Sequence, residues 1–240
     1  MRGLMCSGIC ALLAVTRLAA QNPQREAAAL HWWEGAAVLG GIAALGLLDQ
    51  PVQRYIQSHR STSADALAAD VRHMGQVEVF GSVPAGMAIV GFAAHRPGLV
   101  RGSLRVAASL ALAGATATAG KLTLGRLRPS SERDADEFKP FSGHDSFPSG
   151  HTTMAFALAA SLANEVRRPW ATVGLFTVAA GTGWSRLNDN RHWLSDVVAG
   201  AVVGVTSAEL VDGRWRIFHL NPPALLAEPS GLGIGWRFTF

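Results

Sequence analysis

Six stretches of this chain contain no charged residue: 35–48, 79–94, 106–120, 152–163, 171–184 and 197–208. They are rich in Ala, Gly, Val and Leu and longer than ordinary strands, so they read as helices that must bury most of their surface against one another or in lipid. The expected fold is therefore all-α, a helical bundle of about five or six helices. A shorter surface helix is expected over 61–75, with Ser63 as its cap, Leu67, Val71 and Met74 on one side, and Gly75 as its stop. Near the C-terminus the pattern changes. Pro222, Pro223 and Pro229 break helix, and 231–240 alternates large apolar with small or polar residues, which predicts a short strand-like tail. Nothing else supplies the eight or so strands a barrel would need. No Pro/Ser-rich linker or repeat divides the chain. The expected organisation is a signal segment at 1–20, N-terminal helices at 21–75, a core bundle at 76–212 and a tail at 213–240.

Crossing a hydrocarbon layer takes about 20 apolar residues, and none of the six runs reaches that cleanly. Composition sits between the soluble and membrane extremes, at 49% hydrophobic, 16% charged and a mean hydropathy of +0.21. A membrane-embedded bundle is the favoured expectation, and a soluble exported bundle is the alternative. Residues 1–20 carry Arg2, an apolar stretch over 9–15, and Ala19-Ala20 before Gln21, the pattern of an export signal. Its removal would take away Cys6 and Cys10, leaving neither a disulfide nor a thiol nucleophile.

Polar chemistry gathers at three places: Lys121-x6-Arg128-Pro129, Pro148-Ser149-Gly150-His151, and Ser185-Arg186-x5-His192-x3-Asp196. His192 and Asp196 stand one helical turn apart, so the carboxylate can orient the ring. An imidazole whose Nδ1 proton is held presents its Nε2 lone pair and can attack phosphorus. His151, at the start of a helix, suits the general acid that protonates a leaving alkoxide and later activates water. The two roles could be exchanged on residue type alone. The i+4 carboxylate favours His192 as nucleophile, since His151 has Ala155 at that offset. Lys121 and Arg128, two turns apart on one face of a helix expected to end before Pro129, join Arg186 in supplying charge for a phosphate dianion. Ser149 and Gly150 would offer helix N-terminal N–H groups to its oxygens.

These motifs resemble, at every signature position, those of the type 2 phosphatidic acid phosphatase family, whose superfamily includes bacterial acid phosphatases and vanadium haloperoxidases. The resemblance runs over about 71–211. It implies an acid phosphatase/vanadium haloperoxidase-like bundle with His192, His151 and Asp196 as catalytic residues. Lys121, Arg128, Ser149, Gly150 and Arg186 would bind the substrate phosphate. The implied activity is hydrolysis of phosphomonoesters or diphosphates, expected to be lipid phosphates, through a phosphohistidine. No cofactor is expected. His31, His59, His73, His95 and His219 have no partner at ligand spacing, so no metal is expected either. A secreted soluble acid phosphatase or a vanadium haloperoxidase is the alternative enzyme. A scaffold that merely keeps the fold would have no reason to keep all six charged or imidazole side chains.

A net charge of +4 and a pI near 9.8 suit a phosphorylated lipid, a small phosphate ester or a membrane surface. No basic stripe with interleaved aromatics speaks for nucleic acid. If the runs span, the motifs collect at one end of the bundle. The other end carries Arg96, Arg101, Arg105, Arg167 and Arg168 against Glu165. The positive-inside rule puts that end in the cytoplasm and the motif face in the periplasm or outside the cell. Parity then forbids both a cleaved signal and a spanning 35–48 segment. The favoured arrangement has 35–48 not crossing; the other has an uncleaved N-terminus and 35–48 as a true first span.

Overall fold

The computed structural model describes residues 28–131, 134–217, 224–228 and 231–235. The expected signal segment, with Cys6 and Cys10, and residues 236–240 of the tail lie outside the described residues. The fold is the expected all-α bundle. Its helices are α1 (Trp32–Gly46), α2 (Asp49–Ser58), α3 (Thr62–Arg72), α4 (Val77–Ala93), α5 (Pro97–Leu124), α6 (Gly150–Val166), α7 (Pro169–Asn188) and α8 (Leu194–Val211). All six uncharged runs are helical, and most extend beyond the uncharged stretch into flanking polar residues. Pro97 and Pro169 stand in the first turns of α5 and α7, where a missing N–H costs no intrahelical bond. α5 thereby reaches 28 residues.

α6 is the axis of the bundle. From Thr152 to Ser161 only Met154 keeps appreciable exposure, and nearly every side chain is small. One apolar cluster joins Ala157 and Leu158 to Val106, Leu110 and Ala113 of α5. A second joins Ala155, Phe156 and Ala159 to Ala179 of α7 and Ala201 of α8. α8 meets α6 through glycine. A Cβ at Gly204 would strike the Thr153 carbonyl oxygen, and one at Gly200 would lie 2.7 Å from the Ser149 carbonyl oxygen. Small residues here allow the backbone approach on which tight helix pairs rest.

α3 differs in detail from expectation. Ser61, rather than Ser63, caps it, its Oγ accepting the Ala64 N–H at 3.2 Å. Leu67 is exposed, whereas Ala68 is wholly buried, because a methyl side chain lets α3 lie close on α7. There the Val71 carbonyl accepts the Thr182 hydroxyl at 3.0 Å. In the tail, β3 (Ala224–Glu228) and β4 (Gly231–Gly235) form an antiparallel hairpin, so the predicted strand is half of a pair.

By length and composition, the helical stretches Thr62–Ala93 and Leu194–Val211 could cross a membrane, and α1 with α2, bent by 50°, qualifies as a broken pair. α1 is apolar, buries none of its residues, and exposes Trp32 and Leu39. It also runs antiparallel to α8 along its length. Strand β1 (Ala28–Leu30), just before α1, pairs with β2 (Trp215–Ile217) beyond the C-terminus of α8, while Asp49, just after α1, bonds Ser195 at the N-terminus of α8. α1 thus reaches as far through the molecule as α8 does.

Candidate active site

The three motifs converge at one end of the bundle. A cavity of about 370 Å³ is lined by His192, His151, Arg128 and Arg186, with Arg72, Gln76, Asp189 and Arg191 completing its wall. Lys121 approaches from the side, so that a Cβ built on Gly150 would be 3.6 Å from its Nζ. All eight residues singled out in the sequence therefore lie at or next to one pocket, but four are held differently from expectation.

His192 is 4% exposed, and its Nδ1 lies 2.7 Å from the Ser146 carbonyl oxygen. A carbonyl can only accept, so Nδ1 carries the proton and Nε2 keeps the lone pair. The sequence assigned that proton to Asp196, whose Oδ2 is instead 3.6 Å away. The carboxylate is engaged by other donors: Ser146 Oγ at 2.6 Å, the Trp193 N–H at 2.9 Å and Arg126 Nη1 at 2.6 Å. Asp196 acts on the ring through Ser146.

Arg128 is not on the helix of Lys121. α5 ends at Leu124 because Gly125 takes a left-handed conformation, φ 56°, in which a Cβ would fall on the Lys139 carbonyl. Beyond it the chain is extended: Arg126 bridges to Phe138, and the Leu127 N–H donates to Glu137 O. Arg128 Nη2 bonds Asp145 Oδ2 at 2.7 Å, and Lys121 Nζ donates to the Asp145 carbonyl at 2.9 Å. Arg128 Nε is buried with no acceptor among the described residues, a donor that a phosphate oxygen would satisfy. Half-burial opposes ionisation of Asp145, but Lys121 and Arg128 outweigh it and hold this carboxyl below its usual range. Arg186 Nη2 bonds Asp189 Oδ2 at 2.6 Å, so Asp189 joins the site.

Ser149 cannot donate its N–H to a ligand, because that group bonds the Asp196 carbonyl at 3.0 Å. Its hydroxyl, fully buried, accepts from Thr152 Oγ1. Gly150 and His151 occupy the first turn of α6, whose N–H groups have no intrahelical acceptor. The motifs leave out Asp145 and Arg126, both of which bond site residues. Asp49, Ser146 and Ser195 had not been singled out. The available signal for Asp49 was a lone acid closing an apolar run.

Burial lowers His151 to about 4, and the Arg186, His192, Lys121 and Arg128 charges push the same way. Burial also lowers His192, against the Asp196 carboxylate. Both imidazoles are thus neutral near pH 7. In the unfolded chain they would take protons near 6.5. For His151, the unfolded state binds more protons than the native one between about 6.5 and 4, so its contribution to stability is full above 6.5 and lost as pH falls. In detergent, the melting temperature of wild type is expected to drop more steeply over this window than that of His151→Gln. Parallel curves would contradict the assignment.

Residues 102–212 match the PAP2 superfamily. A lipid A 1-phosphatase of Porphyromonas gingivalis is 44% identical over 111 residues, 45% of this chain and 22% of that protein. Lipid phosphate phosphatase 2 of Arabidopsis thaliana is 37% identical over 104 residues, 38% of this chain and 33% of that protein. The chain therefore spans about a fifth to two fifths of the length of the curated relatives it matches. The crystal structure of Aquifex aeolicus LpxE superposes with a TM-score of 0.55 at 22% identity, covering 68% of this chain and 94% of that one. A transmembrane PAP2-type phosphatidylglycerolphosphate phosphatase of Bacillus subtilis gives 0.52 at 17% identity, covering 74% and 94%. Fold and site together define a helical bundle with a cationic, two-histidine pocket at one end. Over residues 102–212 the chain is similar to the PAP2 superfamily.

Proposed function

We propose that this chain is a metal-independent phosphatase acting on lipid phosphates through a phosphohistidine at His192. The observation that carries this reading is the Nδ1–Ser146 bond, which leaves the Nε2 lone pair for a cavity walled by Arg128, Arg186 and His151. Nε2 attacks phosphorus, the bond to the leaving oxygen breaks, and His151 gives that oxygen its proton. Water, deprotonated by His151, then releases phosphate from the ring. His151 is neutral near pH 7 in this geometry, and a bound phosphate anion opposes the cations that depress it, so the proton arrives with the substrate monoanion. Lys121, Arg128 and Arg186 offset the charge that metal ions carry in other phosphoryl transfers.

A lipid substrate is supported by a second cavity of about 470 Å³ that shares Gln76 and His151 with the first. Val77, Phe80, Ala117 and Met154 give it apolar walls between α4, α5 and α6. It suits the part of a substrate next to the phosphate. The names of the relatives make a lipid A 1-phosphate the first substrate to try, with phosphatidic acid, phosphatidylglycerol phosphate and polyprenyl diphosphate beside it. The arginine-rich end of the bundle favours a periplasmic or extracellular active site. Because α1 extends alongside α8, we favour the arrangement in which 35–48 crosses and 1–20 does not, the reverse of the first preference from sequence.

The test is phosphate release by purified protein, with chelator present, from these lipids and from soluble esters. Turnover of a lipid phosphate at least tenfold above that of soluble esters is expected. Activity that needs added metal, or equal activity on soluble esters, would contradict the reading.

A further inference from the structure

Beneath the pocket lies an ionic cluster sealed from solvent. Arg126, 3% exposed, places Nη1 2.6 Å from Asp196 Oδ1 and Nη2 2.6 Å from Asp49 Oδ2, and both carboxylates are 0% exposed. Ser195 Oγ accepts from Arg126 at 2.7 Å and donates to Asp49 at 2.6 Å, and the Ser195 N–H donates to Asp49 Oδ1 at 2.8 Å. Each acid thus has three hydrogen-bond donors aimed at its oxygens. Arg126 also reaches Ser146 by two routes. Its carbonyl accepts the Ser146 N–H at 3.0 Å, and its guanidinium holds the carboxylate that takes the Ser146 hydroxyl. Ser146 in turn holds His192.

Asp49 lies outside the segment that matches the PAP2 superfamily, and it is the one buried residue of α2. An Arg126–Asp196 pair alone would be neutral. With Asp49 the cluster carries one net negative charge directly behind His192. We propose that Asp49, together with Arg126, is a positioning residue that fixes the Nδ1-protonated form of His192 and supplies the counter-charge for the imidazolium formed when Nε2 is phosphorylated. In that step the Nε2–P bond forms, the P–O bond to the leaving group breaks, and the proton stays on Nδ1, hydrogen-bonded to the Ser146 carbonyl. The ring gains a positive charge in a low-dielectric setting where a fixed anion counts most. On its other side His192 faces the cations Lys121 and Arg128, with His151 and Asp145, so the buried anion works against a positive pocket.

The role in phosphorylation rests on the proposed phosphatase activity; the tautomer does not, and the experiment separates them. With ¹⁵N-labelled histidine, wild type is expected to show His192 as the neutral Nδ1–H form at pH 7, and Asp49→Asn a mixture of tautomers. In turnover, Asp49→Asn is expected to lose about 30-fold or more in kcat with KM within twofold, since the residues that touch phosphate remain. The acid limb of its kcat/KM profile should move to lower pH, because removing a negative charge makes His192 harder to protonate. Inorganic phosphate binding within threefold of wild type verifies the fold. Should Asp49→Asn not fold, Ser195→Ala, which removes only the hydroxyl between Asp49 and Arg126, should shift tautomer and kcat in the same direction by a smaller factor. An unchanged tautomer, acid limb and kcat in a folded variant would overturn the proposal. An inactive wild type would overturn the phosphatase reading, and the tautomer would still decide the role of Asp49.

Discussion

His192→Ala is expected to lose on the order of 10⁴-fold or more in kcat while still binding inorganic phosphate within about threefold of wild type. The separation follows from the geometry. Lys121, Arg128 and Arg186 would still offer their charges to the anion, but among the residues lining the pocket only His192 has an Nδ1 proton held by a main-chain carbonyl. His151→Ala should behave differently. With a good leaving group such as p-nitrophenol, which departs without a proton, the first step survives and only activation of water is lost. A phosphoenzyme should therefore accumulate in His151→Ala, trapped by an alkaline quench because the P–N bond is labile in acid. It should be absent from His192→Ala. Label on His151 instead would exchange the two roles, an alternative that residue types leave open.

The fold was legible because burial along a helix axis has a compositional signature. Runs without charge marked six helices, but α5 and α7 begin earlier, at Pro97 and Pro169, in first turns where proline costs no intrahelical bond. α2 was missed for the opposite reason. Its stretch, with Gln50, Gln53, Arg54 and Gln57, is polar, and only Asp49 is buried. The pocket was legible where chemistry demands a fixed residue type: two imidazoles, three cations and an acid at motif spacing. What spacing could not carry was who bonds whom. Asp196 stands at i+4 from His192, yet Ser146, brought in by a loop 46 positions away, takes the Nδ1 proton. Likewise Gly125, a helix stop visible in the sequence, ends α5 before Pro129 can. Arg128, expected on α5, consequently leaves the helix with Arg126.

Two arginines two positions apart should give opposite phenotypes. Arg128→Met removes a cation that is partly exposed and paired with the half-exposed Asp145, so the change falls on the pocket. Activity should collapse by about 10²-fold or more while the melting temperature stays within a few degrees of wild type. Arg126→Met removes the cation between two carboxylates that are both 0% exposed, and methionine fills the space without a single donor. Breaking a buried ion pair on one side costs about 3–5 kcal/mol because the remaining charge stays buried and unpaired. Here two such charges would face each other. Set against a total stability of about 5–15 kcal/mol, that loss should leave Arg126→Met aggregated or melting far below wild type in detergent. Asp49→Asn added to Arg126→Met removes one of the stranded charges and should recover part of the melting temperature, which a purely steric defect would not do. An Arg126→Met protein that melts within two degrees of wild type would mean that the carboxylates find other donors, and that the cluster is not what ties α2 to the N-terminus of α8.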